Sequence, residues 1–209
     1  MTVEFAPRDV AERTVYRTLT AAVVPRPIGW ISSVDSRGND NLAPYSFFNV
    51  VCVDPPIVMF SHNQHVEGRM KDTPRNVLDT GEFVHNVVID SVAERMHRTS
   101  AEVPADMSEF DVFDIRRAES THVTPPRVAD APVAFECSLC RSIDLGSHGL
   151  ILGEIVYVHL SEAVASNGEL DLEHLNPVGR LSAGQYVETS RRFELDEVMG
   201  NGFSDDEQG

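Results

Sequence analysis

The chain has 209 residues, 42% of them hydrophobic, which suffices for one domain-sized core. Acids outnumber bases 33 to 17 and leave a net charge of −16, a field that repels phosphate backbones and speaks against a nucleic-acid partner. No apolar run reaches the roughly 18–20 residues of a membrane span, and residues 1–17 are too charged for a secretory leader, so a soluble, cytoplasmic protein is expected.

In chain order, residues 9–20 read as a short helix or as the entry to a strand. Residues 28–34 form a β-rich run, and DSRGND (35–40) supplies the Asp, Gly and Asn of a tight turn, so a hairpin is expected. NLAPYSFFN (41–49) breaks the pattern with an internal Pro and aromatics alternating with Ser, and reads as an irregular loop. VVCVDPPIVMF (50–60) restores an apolar strand, interrupted by a Pro pair that cannot serve a central ladder. Strand, loop, strand is how a rigid sheet holds backbone amides toward a ligand. On strand periodicity Tyr45 and Phe47 share one face and Phe48 takes the other. SHNQHVEGRM (61–70) reads as a loop, with His62 and His65 as solvated histidines rather than metal ligands, since Glu67 is the sole acid among them.

KDTPRNVLDTGEFVHNVV (71–88) predicts a helix N-capped by Asp72 or Thr73, with Pro74 in its first turn and Gly81 ending it, followed by a strand. The helix start gathers Lys71, Thr73, Arg75 and Asn76 around free amides. That is either a phosphate site or an ordinary capped helix with solvated cations. Ser91 and Glu94 suggest a capping box for a second helix over 91–100. The Pro-rich residues 101–132 read as an excursion with one helical turn and one strand, long enough for a lid or an arm packed on another subunit. A second hairpin follows over 133–160 with its turn at DLGSHG (144–149). Cys137 and Cys140 form a CxxC on this hairpin, but strand positions three apart face opposite sides. With Cys52 they are expected to be structural thiols. Residues 161–175 suggest a strand end, a turn and a short segment, and 179–189 read as a loop. The acidic tail, 194–209, is expected to be flexible beyond a domain spanning 1–193.

Neither GxGxxG after a strand nor GxxxxGK[ST] occurs, which excludes those nucleotide-binding loops. Strands arriving as hairpins with few helices predict a mainly antiparallel barrel or sandwich.

Several of these stretches, in order, resemble the flavin reductase-like family of FMN-binding split β-barrels, which includes flavoredoxins and reductases that serve flavoprotein oxygenases. They are residues 25–60, KDTPRNVLDTGEFVHNVV, SEFDVFDI with PPRVADAPVAFEC, GSHGLILGEIVYV and GRLSAGQY, and the match runs in order over roughly Thr14 to Glu188. The resemblance implies a mainly β fold with a few helices, an antiparallel split β-barrel, and a homodimer with FMN near the interface. FMN is favoured over FAD. On the ring and ribityl side it implies Trp30, Ser32, Asn41, Leu42, Ala43, Pro44, Ser46, Phe47 and Phe48; on the phosphate side, Ser61, Lys71, Asp72, Thr73 and Asn76, with Arg26 and Arg75 as further phosphate partners. His148 takes the place of a histidine near the nicotinamide, although Ser147 stands where the family has an Asp; alternatively it is only a turn residue. The implied activity is hydride transfer from NAD(P)H to FMN, in a ping-pong or bound-flavin mechanism, with a flavin-dependent monooxygenase as a partner. The alternative is an FMN-binding electron carrier or sensor without free-flavin turnover. No metal is expected.

Overall fold

A computed structural model of the chain describes residues 2–64, 70–104, 106–167 and 169–195. Its framework is one antiparallel sheet of β1 (Gly29–Val34), β2 (Asp40–Tyr45), β3 (Phe48–Val53), β4 (Pro56–Asn63), β5 (Glu82–Asn86), β6 (Val133–Asp144) and β7 (His148–Leu160). Their order is β2-β1-β5-β6-β7-β4-β3. The edges β2 and β3 are consecutive in sequence and joined only by Ser46 and Phe47. The sheet curls until its ends meet, with the Tyr45 and Phe60 rings 4.7 Å apart and Phe48 4.2 Å from His85. Among the described residues no ladder closes the seam between β2 and β3, so the barrel is split where Ser46 and Phe47 cross it.

Strand periodicity explains the two main cores. Ile31 points inward to Phe48, Val58, Phe60, Phe83 and Ile151. Its neighbour Trp30 points outward to a second cluster with Leu42, Val92, Met96 and Phe110. β1 is thereby buried on both faces. Gly153 is required by packing, because a Cβ there would lie 2.3 Å from the Phe83 ring.

The helices are α1 (Glu12–Ala22), α2 (Asp72–Thr80), α3 (Asp90–Arg98), α4 (Glu109–Val112) and α5 (Leu172–Leu175). Residues 9–20 are thus largely helical. Gly81 ends α2 at φ +78°, as predicted. The start of α2 differs: Lys71 is the N-cap and no side chain caps it, so Asp72 and Thr73 already lie within the helix. The Ser91–Glu94 capping box does not form, because α3 begins at Asp90 and Ser91 is inside its first turn.

Three expectations for irregular chain are corrected. NLAPYSFFN is mostly strand, with Asn41 to Tyr45 completing β2 and Phe48 opening β3; Pro44 is tolerated because β2 is an edge. The Pro pair marks the turn of a β3–β4 hairpin rather than a break in one strand, and Ser61 to Asn63 end β4. Residues 179–189 contain a ribbon pairing Val178–Arg180 with Tyr186–Glu188. Cys137 is buried and Cys140 exposed, both free. Among the described residues no helix is long and apolar enough to cross a membrane. His65, Glu67 and tail residues 196–209 lie outside the described residues.

Candidate functional site

Where β2 meets the start of α2, a cleft of about 450 Å³ opens. β2 contributes Asn41, Ala43 and Pro44; the turn into α2 contributes Lys71, Asp72 and Thr73. Asn41 Nδ2 donates to Thr73 Oγ1 at 2.8 Å, tying strand to helix. Asn76 Nδ2 donates to Ser33 Oγ at 3.2 Å and holds α2 against β1. With no side-chain cap at Lys71, the amides of the first turn stay open to a ligand at the positive end of the helix dipole. Lys71 and Arg75 are exposed there, and Arg75 pairs with Asp72. Open amides, an ammonium and a guanidinium form a donor set that fits a phosphate.

The opposite wall was not read from the sequence. It is the segment Thr99–Pro104 together with Glu109, the start of the excursion. This arm packs on its own chain. Glu109 accepts the Leu42 amide at 2.9 Å, Ser108 donates to Asp40, and Arg117 bridges Asp40 and Asp111. Farther along, buried Glu136 in β6 accepts the amides of Thr121, His122 and Val123 at 2.7, 2.6 and 3.1 Å and lies 2.5 Å from His159 Nε2. Ser108 capping α4 was a legible signal for the helical turn. Burial pushes the Glu109 carboxyl above its usual range against the pull of the Leu42 amide, and Asp72 and Asp40 push it further. Tyr45 reaches the cleft beside Thr73; burial raises its hydroxyl pKa, and Glu109 and Asp72 add to that.

Several residues assigned to the flavin pocket lie inside the fold. Trp30, Ser32 and Leu42 are fully buried, and Phe48 nearly so. Trp30 Nε1 donates to Thr99 Oγ1 at 3.0 Å and positions the cleft wall from behind. Ser32 Oγ donates to the Pro126 carbonyl. Thr73 and Asn76 are also buried, so their side chains brace the helix start while their backbone lies near the cleft. The expected row of free amides on this stretch is corrected too. Leu42 gives its amide to Glu109, and Pro44 has none. Arg26 is not on the phosphate side: its buried guanidinium donates to the carbonyls of Thr20, Val23 and Leu181.

Ser46 lines a smaller alcove beside the cleft. Phe47 and Ser61 sit across the seam, where the Ser61 amide donates to the Phe47 carbonyl at 2.8 Å. His148 opens β7 with its ring 6.2 Å from Phe47, and its Nδ1 is 3.1 Å from Ser147 Oγ. Among the described residues it does not line the cleft.

Comparison with known proteins bears on this geometry. A family model described as flavin reductase like domain matches residues 21–176. An uncharacterised protein of Aquifex aeolicus is 37% identical over 92% of this chain and 99% of its own. The crystal structure of nitrilotriacetate monooxygenase component B from Bacillus cereus superposes with a TM-score of 0.89 at 32% identity, covering 93% of this chain and 99% of that one. The Pseudomonas fluorescens 2-nitrobenzoate 2-nitroreductase NbaA superposes with a TM-score of 0.87 at 30% identity, covering 96% and 98%.

Proposed function

The chain belongs to the flavin reductase-like domain family, and from that premise we propose that it is an NAD(P)H-dependent oxidoreductase holding FMN in the cleft between β2 and α2. The observation that carries this reading is the meeting, in one cleft of about 450 Å³, of the strand Asn41–Tyr45 with an uncapped helix start bearing Lys71 and Arg75. When bound, the flavin supplies the hydride and electron chemistry, and the protein supplies position and electrostatics. Lys71, Arg75 and the first-turn amides of α2 hold the phosphate. Asn41, Ala43, Pro44 and Tyr45 line the side facing the ring, and the Thr99–Pro104 wall shields it from water. His148, with Phe47 beside it, orients the nicotinamide from the seam.

The likeness to a monooxygenase component B supports an oxygenase partner that receives reduced flavin. A homodimer is supported by β3, where the adjacent Val50 and Val51 are 54% and 49% exposed. Val53 at the end of the same strand is 85% exposed, so among the described residues this edge strand carries three uncovered valines. One observation favours a second reading, an FMN-binding electron carrier: His148 stands outside the cleft, beside an uncharged Ser147.

The test is direct. The purified protein should show a flavin spectrum or acquire one with FMN, and should oxidise NADH or NADPH. Retained FMN without NAD(P)H oxidation selects the carrier, and a colourless protein that takes up no FMN overturns both readings. Lys71→Ala should weaken FMN binding by roughly fivefold, the effect of one exposed charge; unchanged affinity moves the phosphate elsewhere.

A further inference from the structure

Beside the cleft, and sharing Pro44 and Ser100 with it, lies an alcove of about 180 Å³. Its apolar walls are Ile28, Pro44 and Met96, and its polar side is Arg180, His97 and Tyr186. Among the described residues its lining contains no Asp or Glu.

Two arginines are held together at this place. Arg26 and Arg180 exchange backbone hydrogen bonds, amide to carbonyl in both directions, at 2.9 and 2.8 Å. Gly179 permits the approach, since a Cβ there would come within 2.8 Å of Pro25 Cβ. Burial, and then the charge of Arg180, lower the pKa of Arg26. Some arginines meet carboxylates, as Arg117 meets Asp40 and Arg95 meets Asp130, while Arg127 and Arg192 donate to backbone carbonyls. Among the described residues neither Arg26 nor Arg180 has an acidic partner, although the chain carries 33 acids.

The two differ in what they have left to give. Arg26 spends its guanidinium on three backbone carbonyls and faces Ser46 Oγ at 3.5 Å. Arg180 lies over the Tyr186 ring, 4.6 Å from its centroid, and donates through Nη1 to the Tyr186 hydroxyl. That hydroxyl is also 2.9 Å from His97 Nδ1. The ring and hydroxyl fix the guanidinium plane while its remaining N–H groups stay available, the geometry that suits bidentate binding of a carboxylate. Arg26 adds positive potential from behind.

We propose that this alcove binds the carboxylate of a small organic acid with an apolar body, Arg180 receiving the carboxylate and Ile28, Pro44 and Met96 the apolar part. The site is assigned from the alcove alone; that its occupant is a second substrate next to the flavin rests on the function proposed above.

Titration calorimetry of the full chain with benzoate, benzamide and inorganic phosphate, with and without FMN, tests it. Benzoate should bind at least tenfold more tightly than benzamide, which has the same ring and no charge, and more tightly than phosphate. Arg180→Gln should weaken benzoate by roughly tenfold or more while FMN uptake stays as in the wild type, and Arg180→Lys should recover part of the loss. Equal binding of benzoate and benzamide, preference for phosphate, or a folded Arg180→Gln protein with unchanged benzoate affinity overturns the proposal. The wild-type comparison decides even if the variant does not fold. Benzoate binding by a protein that takes up no FMN would sink the flavin reading and leave the alcove standing; FMN uptake without benzoate binding would do the reverse.

Discussion

β2 and β3 are the two edges of one sheet, joined by Ser46 and Phe47, yet the described residues cover one and leave the other bare. The outer edge of β2 meets the arm: Glu109 accepts the Leu42 amide, Pro44 offers none, and Arg117 and Ser108 grip Asp40. Among the described residues β3 has no such cover, and Val53 at its end is 85% exposed. Uncovered apolar edges invite pairing with another chain. The difference separates two jobs. The β2 edge is sealed in cis, so its arm can form the wall of a cleft. The β3 edge stays open among the described residues, where the proposed homodimer would pair.

The comparison breaks most severely at the anchor of the arm. Glu136→Ala leaves three amides and His159 without their buried acceptor and should cost about 3–5 kcal/mol, read as a fall in Tm and denaturation midpoint. Burial alone would raise the Glu136 pKa, but His159 and the amides of Thr121, His122 and Val123 bring it below its ordinary value. A folded pKa below the unfolded one means this stabilisation is complete at neutral pH. It should fade as pH falls through and below the ordinary carboxylate range, and the wild-type protein should lose more stability there than the variant.

At the other edge, Val51→Glu should weaken self-association by about 2–4 kcal/mol, seen as a shift to smaller species in sedimentation. An unchanged distribution would remove β3 from the interface. Next comes a contrast at Glu109. Glu109→Ala orphans the Leu42 amide and should cost about 1–3 kcal/mol in a denaturant titration. Glu109→Gln keeps an acceptor and removes a charge whose pKa burial has raised, so at neutral pH it should be neutral or slightly stabilising. Smallest is His148→Ala, which touches neither edge. It should raise KM for the nicotinamide roughly fivefold and leave FMN retention unchanged; unaltered NAD(P)H kinetics would make His148 part of the hairpin only.

Much of the framework was legible. Both hairpins with DSRGND and DLGSHG turns, the end of α2 at Gly81 and the antiparallel sheet follow from residues acting within a few positions. The phosphate-side cleft was half legible, since Lys71 to Thr73 sit in continuous sequence. Its far wall was not, because Thr99–Pro104 and Glu109 meet β2 only through long-range packing. Trp30 and Ser32 look the same in sequence whether they face a ligand or a core, and only burial assigns them to the core.

By itself the sequence determined where strands turn, where α2 stops and which residues could hold a phosphate, because turn chemistry and helix polarity are local. Tertiary structure alone decided that Pro44 lies on an edge, that the arm folds back onto β2, and that Arg26 meets Arg180. Those outcomes depend on which distant segments share the available backbone hydrogen bonds and buried volume, and no short window of residues contains that competition.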